Sequence, residues 1–302
     1  MRQQCIEQLE RLYPQALRRD VPMREYTTFR IGVPADAVLF AQDETQLVQA
    51  VALCARCNEP YFVMGNGSNL LVSDLGIRGL VIMVRDALDQ ISVKDDVLIA
   101  GAGARLARVA ETAAAHGLSG LEFASGIPGC LGGALTMNAG AYGGEMAQVV
   151  QRVRLIESDA SVHTLTADQL EFGYRTSAIA NGRIALDAVF QLKREDPDKI
   201  VQTMRTYQQA RREKQPLEYP SAGSVFKRPQ GYFAGALIDQ AGLRGTRIGG
   251  AQVSQKHAGF IVNVGGATCQ DVLDLIELIQ QRVFQTSGVE LCPELRPIGE
   301  GV

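Results

Sequence analysis

Between residues 119 and 145 the chain reads SGLEFASGIPGCLGGALTMNAGAYGGE, with glycine at 120, 126, 129, 132, 133, 140, 143 and 144. A glycine inside a helix or strand costs roughly 0.5–1 kcal/mol relative to alanine, so this density excludes one long regular element. The interleaved Leu, Ile, Phe, Met and Tyr side chains argue equally against a free low-complexity linker. The remaining reading is a segment whose bare backbone passes very close to something flat or phosphorylated.

The sequence before it alternates short apolar runs with helical ones. DAVLF (36–40) reads as a strand, the stretch from Glu44 to Asn58 as an amphipathic helix, PYFVMG as a second strand and GNGSN as a glycine turn. That succession is α+β or α/β. Strands are expected at 79–84, 90–93 and 97–100 and a helix from Ala104 to His116; beyond the glycine-dense stretch, strands follow at 149–157 and 184–192. The polar, proline-bearing KREDPDK predicts a domain boundary near 195–200. After it come a helix over 198–214, a strand in HAGFIVNVG, a helix from Cys269 to Gln285 and a last strand through VELCPELR.

A length of 302 residues predicts about two domains. No run approaches the roughly 20 apolar residues of a membrane span. The N-terminus, MRQQCIEQLERLYPQALRRD, lacks an apolar core and cleavage site, so the expected location is the cytoplasm. With 30 basic and 33 acidic side chains and no basic stripe, a nucleic-acid partner is not expected. Among six cysteines the one C-x-x-C pair, Cys54 and Cys57, has no second pair or histidine to complete a metal site, so reduced, structural thiols are expected.

Several stretches have the composition of sites. DDVLIAGAGARLARVA (95–110) sets Gly101-x-Gly103 between a strand and a helix, with Glu122 about 20 residues on, as in a dinucleotide fingerprint. The third glycine position holds Leu106 or Ala107, and a tight turn without nucleotide explains the pattern equally well. In MGNGSNLLVSD, Gly65 and Gly67 can line up N–H groups into an anion nest, with Ser68 and Asn69 adding neutral donors; a polar hairpin turn is the alternative. YPSAGSVFKRP presents Ser224 with no histidine near it in sequence, and His116, His163 and His257 have neither triad nor metal spacing. EFGYRTSAI offers the planar fork of Arg175, and VELCPELRPIG sets Glu294 in an apolar run.

Taken in order, TTFRIGVPAD (27–36), GNGSNLL (65–71), GIPGCLGGALTMNAGAYGGE (126–145), FGYRTS (172–177), SAGSVFKRP (221–229), AGALIDQAGLRGTRIGGAQVSQKHAGFIVN (234–263) and LCPELRPIG (291–299) resemble the UDP-N-acetylenolpyruvoylglucosamine reductase family, also called UDP-N-acetylmuramate dehydrogenases. The resemblance implies an α+β protein with a two-subdomain FAD-binding fold of the vanillyl-alcohol-oxidase type and a C-terminal α/β substrate domain. It places an N-terminal helical extension at 1–25, FAD subdomains at about 26–80 and 81–196, and the substrate domain at 197–302. The implied activity is a flavoenzyme that takes electrons from NADPH and reduces the enolpyruvyl ether of UDP-N-acetylglucosamine to UDP-N-acetylmuramate, for peptidoglycan synthesis. FAD is expected to be non-covalent, the protein monomeric, and no metal or membrane is involved.

Carried over by motif, the catalytic residues are Arg175, Ser224 as proton donor, and Glu294. Tyr174, Lys227 and His257 join Arg175 and Glu294 on the substrate. The implied cofactor segments are Gly65, Asn66, Gly67, Ser68, Asn69 and Leu70, then Gly126, Ile127, Pro128, Gly129 and Cys130, then Gly132, Gly133, Asn138, Gly140 and Ala141. Cys130 stands where the family usually has Ser or Thr, Val33 where Gly is common, and Arg228 where Asn is frequent. The short interval between Arg175 and Ser224 resembles the family's second type, which lacks an extra tyrosine-bearing loop.

Overall fold

The computed structural model describes residues 3–302. Its first elements are α1 (Gln3–Leu12), β1 (Leu17–Pro22), β2 (Pro34–Phe40), α2 (Glu44–Cys57), β3 (Tyr61–Met64), β4 (Leu70–Val72) and β5 (Ile77–Met83). In the N-terminal segment the α-helix ends at Leu12, and a strand and a short 3-10 turn (Met23–Glu25) follow. One sheet has the order β1-β2-β5-β3, with β3 and β5 parallel. Helix α2 begins where expected because the Asp43 carboxylate accepts the Gln46 N–H at 2.8 Å; Asn58 ends it in the left-handed conformation that asparagine tolerates.

Next come β6 (Ile91–Lys94), β7 (Val97–Gly101), α3 (Leu106–Ala115), β8 (Leu118–Ser119), α4 (Leu131–Thr136), β9 (Gly140–Ala141), β10 (Gly144–Glu145), β11 (Val150–Ile156), β12 (Val162–Thr166), β13 (Ile184–Gln191) and β14 (Lys193–Arg194). An antiparallel sheet runs β12-β11-β13-β7-β6. Strand β12 escaped the sequence reading because, as an edge strand almost wholly exposed, it carries no buried alternation. Helix α4 escaped it because two of its six residues are glycine.

The last elements are α5 (Pro197–Lys214), α6 (Ala234–Gln240), β15 (Arg247–Ile248), β16 (Ala251–Val253), β17 (Ile261–Asn263), α7 (Cys269–Ser287) and β18 (Arg296–Ile298). Strands β15, β16 and β17 form an antiparallel sheet, and β18 pairs in parallel with β4. Helix α7 is opened by a Thr268/Asp271 capping box, while the Asp74 carboxylate accepts the N–H groups of Cys269 (2.8 Å) and Gln270 (2.9 Å). Two expected strands are shorter than predicted. Residues 257–260 of the first belong to a turn, and 289–295 of the second are irregular backbone.

The chain divides into two compact units, each assembled from three stretches: 1–18, 37–66 and 79–211 in one, 19–36, 67–78 and 212–302 in the other. The first holds two apolar cores, one among α1, α2, β2 and β5 around Leu39, Leu47 and Ile82, the other among α3, α4 and the five-stranded sheet around Val109, Leu135 and Phe190. The second has its own core, with Val225, Phe226, Ile238, Val272 and Ile279. Among the described residues no helix is long and apolar enough to cross a membrane, and no cluster of His, Cys, Asp or Glu could hold a metal ion.

Candidate active site

The glycine-dense stretch is tied down on both sides in the first unit. Leu131 and Gly132 donate their N–H groups to the carbonyls of Ala104 (2.9 Å) and Ala102 (2.8 Å), and Leu106 donates to Gly129 at 3.1 Å. This settles the role of Gly101 and Gly103. A Cβ at either would lie 2.2 Å from a carbonyl oxygen, that of Leu88 or Val84, so both glycines admit protein backbone rather than a pyrophosphate. The turn is a bracket for the stretch that follows.

Asn138, buried and at φ 40°, spends its side chain internally: its amide donates to the Gly173 carbonyl (3.1 Å) and its oxygen accepts the Ala147 N–H (2.9 Å). The neighbouring Ser177 hydroxyl donates to the Thr136 carbonyl at 3.1 Å. These bonds seat the FGYRTS motif on α4. Gly173 and Thr176 then close a tight turn by paired backbone bonds of 3.0 and 3.4 Å, with Tyr174 and Arg175 at its tip. Arg175 holds φ 59°, which costs a non-glycine residue roughly 1–2 kcal/mol. Its Nη2 donates to the Gly140 carbonyl at 3.4 Å, and its guanidinium lies 5.1 Å from the Tyr174 ring centroid. Strain of this kind persists only where surrounding structure enforces it, as the bonds to Asn138 and Thr136 do here.

In the second unit Ser224 lies on an irregular strand held from both sides. It bridges Phe260, Val225 donates to the Gly259 carbonyl (3.0 Å), and Lys227 donates to the Cys292 carbonyl (2.9 Å). Glu294 donates its own N–H to the Val225 carbonyl at 2.7 Å, so the SAGSVF and PELR motifs are adjacent although 70 residues apart in sequence, 294 minus 224. The Ser224 hydroxyl donates to the Phe226 carbonyl at 3.3 Å.

Asn69 anchors that pair. Its amide donates to the Glu294 carbonyl (3.1 Å) and its carbonyl accepts the Arg296 N–H (3.0 Å). Behind Ser224, the Thr28 hydroxyl donates to the Ser221 carbonyl (2.8 Å), and the buried Asn263 amide donates to the carbonyls of Phe29 (3.2 Å) and Arg30 (3.4 Å). TTFRIG and FIVN thus brace the serine segment, a task that their residue types alone do not reveal. His257 accepts the Gly259 N–H on Nδ1 at 3.1 Å, and burial depresses its pKa, with nearby Arg244 adding to the effect; a neutral ring bearing its proton on Nε2 follows. Its side chain thus holds Gly259, the partner of Val225.

Does the first unit suit a flat, phosphorylated cofactor? Gly65 packs so tightly on Cys130 that a Cβ there would sit 2.8 Å from the cysteine Cβ. That explains a glycine at 65. Gly133 has no such excuse, since it is helical and a Cβ on it would meet nothing within 4 Å. A helical glycine facing open space is a cost that packing does not explain, and it leaves the backbone there open to close approach. Cys130 suits the same surroundings as a small, neutral thiol, since burial pushes its pKa up to about 11.

Comparison with known proteins agrees. The family described as FAD binding domain matches residues 35–166, and the one described as UDP-N-acetylenolpyruvoylglucosamine reductase, C-terminal domain, matches 215–298. A UDP-N-acetylenolpyruvoylglucosamine reductase of Alkaliphilus oremlandii is 50% identical over 282 residues, 93% of each chain. One from Clostridium botulinum is 49% identical over 93% of this chain and 92% of its own. The crystal structure of the Thermus caldophilus reductase superposes with a TM-score of 0.81 at 37% identity, covering 93% of this chain and 99% of that one. An alkyldihydroxyacetonephosphate synthase, at 14% identity and a TM-score of 0.50 over 64% of this chain, shares the fold alone. The expected α+β architecture, a two-subdomain FAD-binding fold with a distinct C-terminal domain, is the one present, and the protein is a FAD-dependent oxidoreductase. The chain belongs to the UDP-N-acetylenolpyruvoylglucosamine reductase family.

Proposed function

We propose that this enzyme takes electrons from NADPH and reduces the enolpyruvyl ether of UDP-N-acetylglucosamine to UDP-N-acetylmuramate, a peptidoglycan precursor. The observation that carries the reading is the backbone bond from Glu294 to Val225, which brings the two motifs expected to act on one substrate side by side. FAD, when bound, supplies hydride to the terminal carbon of the enol ether; Gly65, Asn66, Gly133 and the backbone of 126–141 would hold it.

The protein's own residues must manage charge and one proton. Adding hydride to a conjugated enol ether leaves negative charge spread onto the adjacent carboxylate. Arg175 meets that charge with its planar fork. Glu294 can help only as a hydrogen-bond donor, so it carries a proton in the complex. Ser224 then protonates the α-carbon. Its hydroxyl donates to Phe226 at rest, so the O–H must turn away from that carbonyl before the proton is given. The alkoxide left behind needs a cation, and Lys227, two residues past Val225, is our candidate for it. Tyr174 and His257 complete the substrate contacts in this reading.

Anaerobic half-reactions test it. In Ser224→Ala, reduction of the flavin by NADPH should be unchanged, whereas reoxidation by the enolpyruvyl sugar nucleotide should slow by about 10²-fold or more, the loss expected for a general acid. Equal slowing of both halves, or of neither, overturns the proton-donor role.

A further inference from the structure

The glycine turn at 65–66 has a basic rim built from residues outside every motif that carries the family resemblance. Past the end of β5 the chain turns through Arg85 into Asp86, which adopts φ 68°. The Asp86 carboxylate lies 3.2 Å from Nε of Arg85 and 3.6 Å from Nη2 of Arg105, so one acid holds two guanidiniums. Arg85, its side chain 29% exposed, donates from Nη1 to the side-chain oxygen of Asn66 at 3.4 Å. Arg105, 62% exposed, precedes α3, and its backbone bridges Cys130, the residue packed on Gly65. The cluster carries one net positive charge. Burial raises the Cys130 pKa, and the two arginines oppose that rise.

Two consequences follow from this geometry. Because Arg85 occupies the Asn66 oxygen, the Asn66 NH2 must face the other way, as a donor. And because Asp86 neutralises only one of two guanidiniums, a phosphate arriving at the turn meets a surplus of positive charge. A surface ion cluster with no such duty would contribute at most about 1 kcal/mol to stability and nothing to a ligand.

We propose that Arg85 is a positioning residue that aims Asn66 at the diphosphate of the FAD cofactor, and that Arg105 supplies the outer charge of the same site. The inference rests on the reading of Gly65 and Asn66 as cofactor residues. The experiment is a titration of flavin-free protein with FAD, and in parallel with riboflavin, which lacks phosphate, followed by flavin fluorescence. Arg85→Met should weaken FAD binding about tenfold and Arg105→Met about threefold, with both deficits shrinking as ionic strength rises. Riboflavin affinity and the thermal midpoint of the flavin-free protein should not move. Arg85→Lys, which restores charge but not the fork, should recover less than half of the loss. Unchanged FAD affinity, or equal losses for FAD and riboflavin, overturns the proposal with the cofactor reading intact. Failure of the unsubstituted protein to bind FAD overturns both.

Discussion

Gly133 is a glycine for which the fold itself gives no steric reason. Most glycines of the stretch are forced by protein: Gly140 would place a Cβ 2.7 Å from the Gly144 carbonyl, and Gly144 would place one 2.5 Å from the Phe123 ring. Gly133 is helical and open. Gly133→Ala should therefore raise the stability of the flavin-free protein by about 0.5–1 kcal/mol, as alanine does in a helix, while weakening FAD binding at least about fivefold. Urea unfolding and a flavin titration on the same samples decide it; unchanged FAD affinity would return Gly133 to the ordinary helix. The same scale shows what residue types conceal. Asn69 and Asn138 read as cofactor donors because they lie in glycine turns, yet their amides hold the Glu294 and Gly173 carbonyls. A donor next to glycine serves a ligand or a distant carbonyl, and one sequence does not tell which.

The turn joining β16 to β17 makes a case at the level of the element. Ser254 accepts the N–H groups of Lys256 (3.1 Å) and His257 (3.2 Å) and donates its own N–H to Phe260 (2.9 Å), which folds 254–260 back on itself. His257 closes the loop onto Gly259, and Gly259 in turn holds Val225, next to Ser224. Protonation of Nδ1 would abolish the acceptor that the Gly259 N–H requires. Since burial lowers the folded pKa below the usual value of about 6.5, the unfolded chain binds the proton more readily. The stabilising contribution is complete above about pH 6.5 and is lost as pH falls through the folded value. His257→Gln presents a comparable acceptor that does not titrate, so its urea midpoint should fall less steeply between about pH 7 and 5 than that of the unsubstituted protein. Identical slopes would rule the histidine out as the source. Long elements were legible because periodicity and caps agree: α2, α5 and α7 stand within two residues of their expected ends. This turn was not, because HAGFIVNVG is as apolar as a strand, and only the Ser254 and His257 bonds show otherwise.

At the scale of the whole molecule, the motifs that carry the family resemblance fall in both units, and the second unit draws on three distant stretches of chain. TTFRIG, SNLL and the C-terminal motifs all lie in it. Their meeting was not legible. VELCPELR looks like a strand over its whole length, but Cys292 and Glu294 are engaged with the serine segment, and the ladder to β4 begins only at Arg296. That ladder pairs Arg296, Pro297 and Ile298 with Leu70, Leu71 and Val72, and is extended by bonds from Ser73 to the carbonyls of Ile298 (2.9 Å) and Glu300 (2.6 Å). It joins residues more than 200 positions apart, so its loop-closure cost must be met before the contacts return anything. Deleting 296–302 removes the whole ladder and the Arg296 contact to Asn69. At roughly 0.5–1.5 kcal/mol for each hydrogen bond lost, the deletion should cost about 3 kcal/mol or more, lower the urea midpoint and slow refolding. It should also loosen Glu294, because Asn69, whose amide holds the Glu294 carbonyl, loses the Arg296 N–H that its own carbonyl accepts. A deleted protein with an unchanged midpoint would show that the second unit closes through α7 and its core alone, and that β18 is a trailing strand rather than the clasp between 67–78 and 212–302.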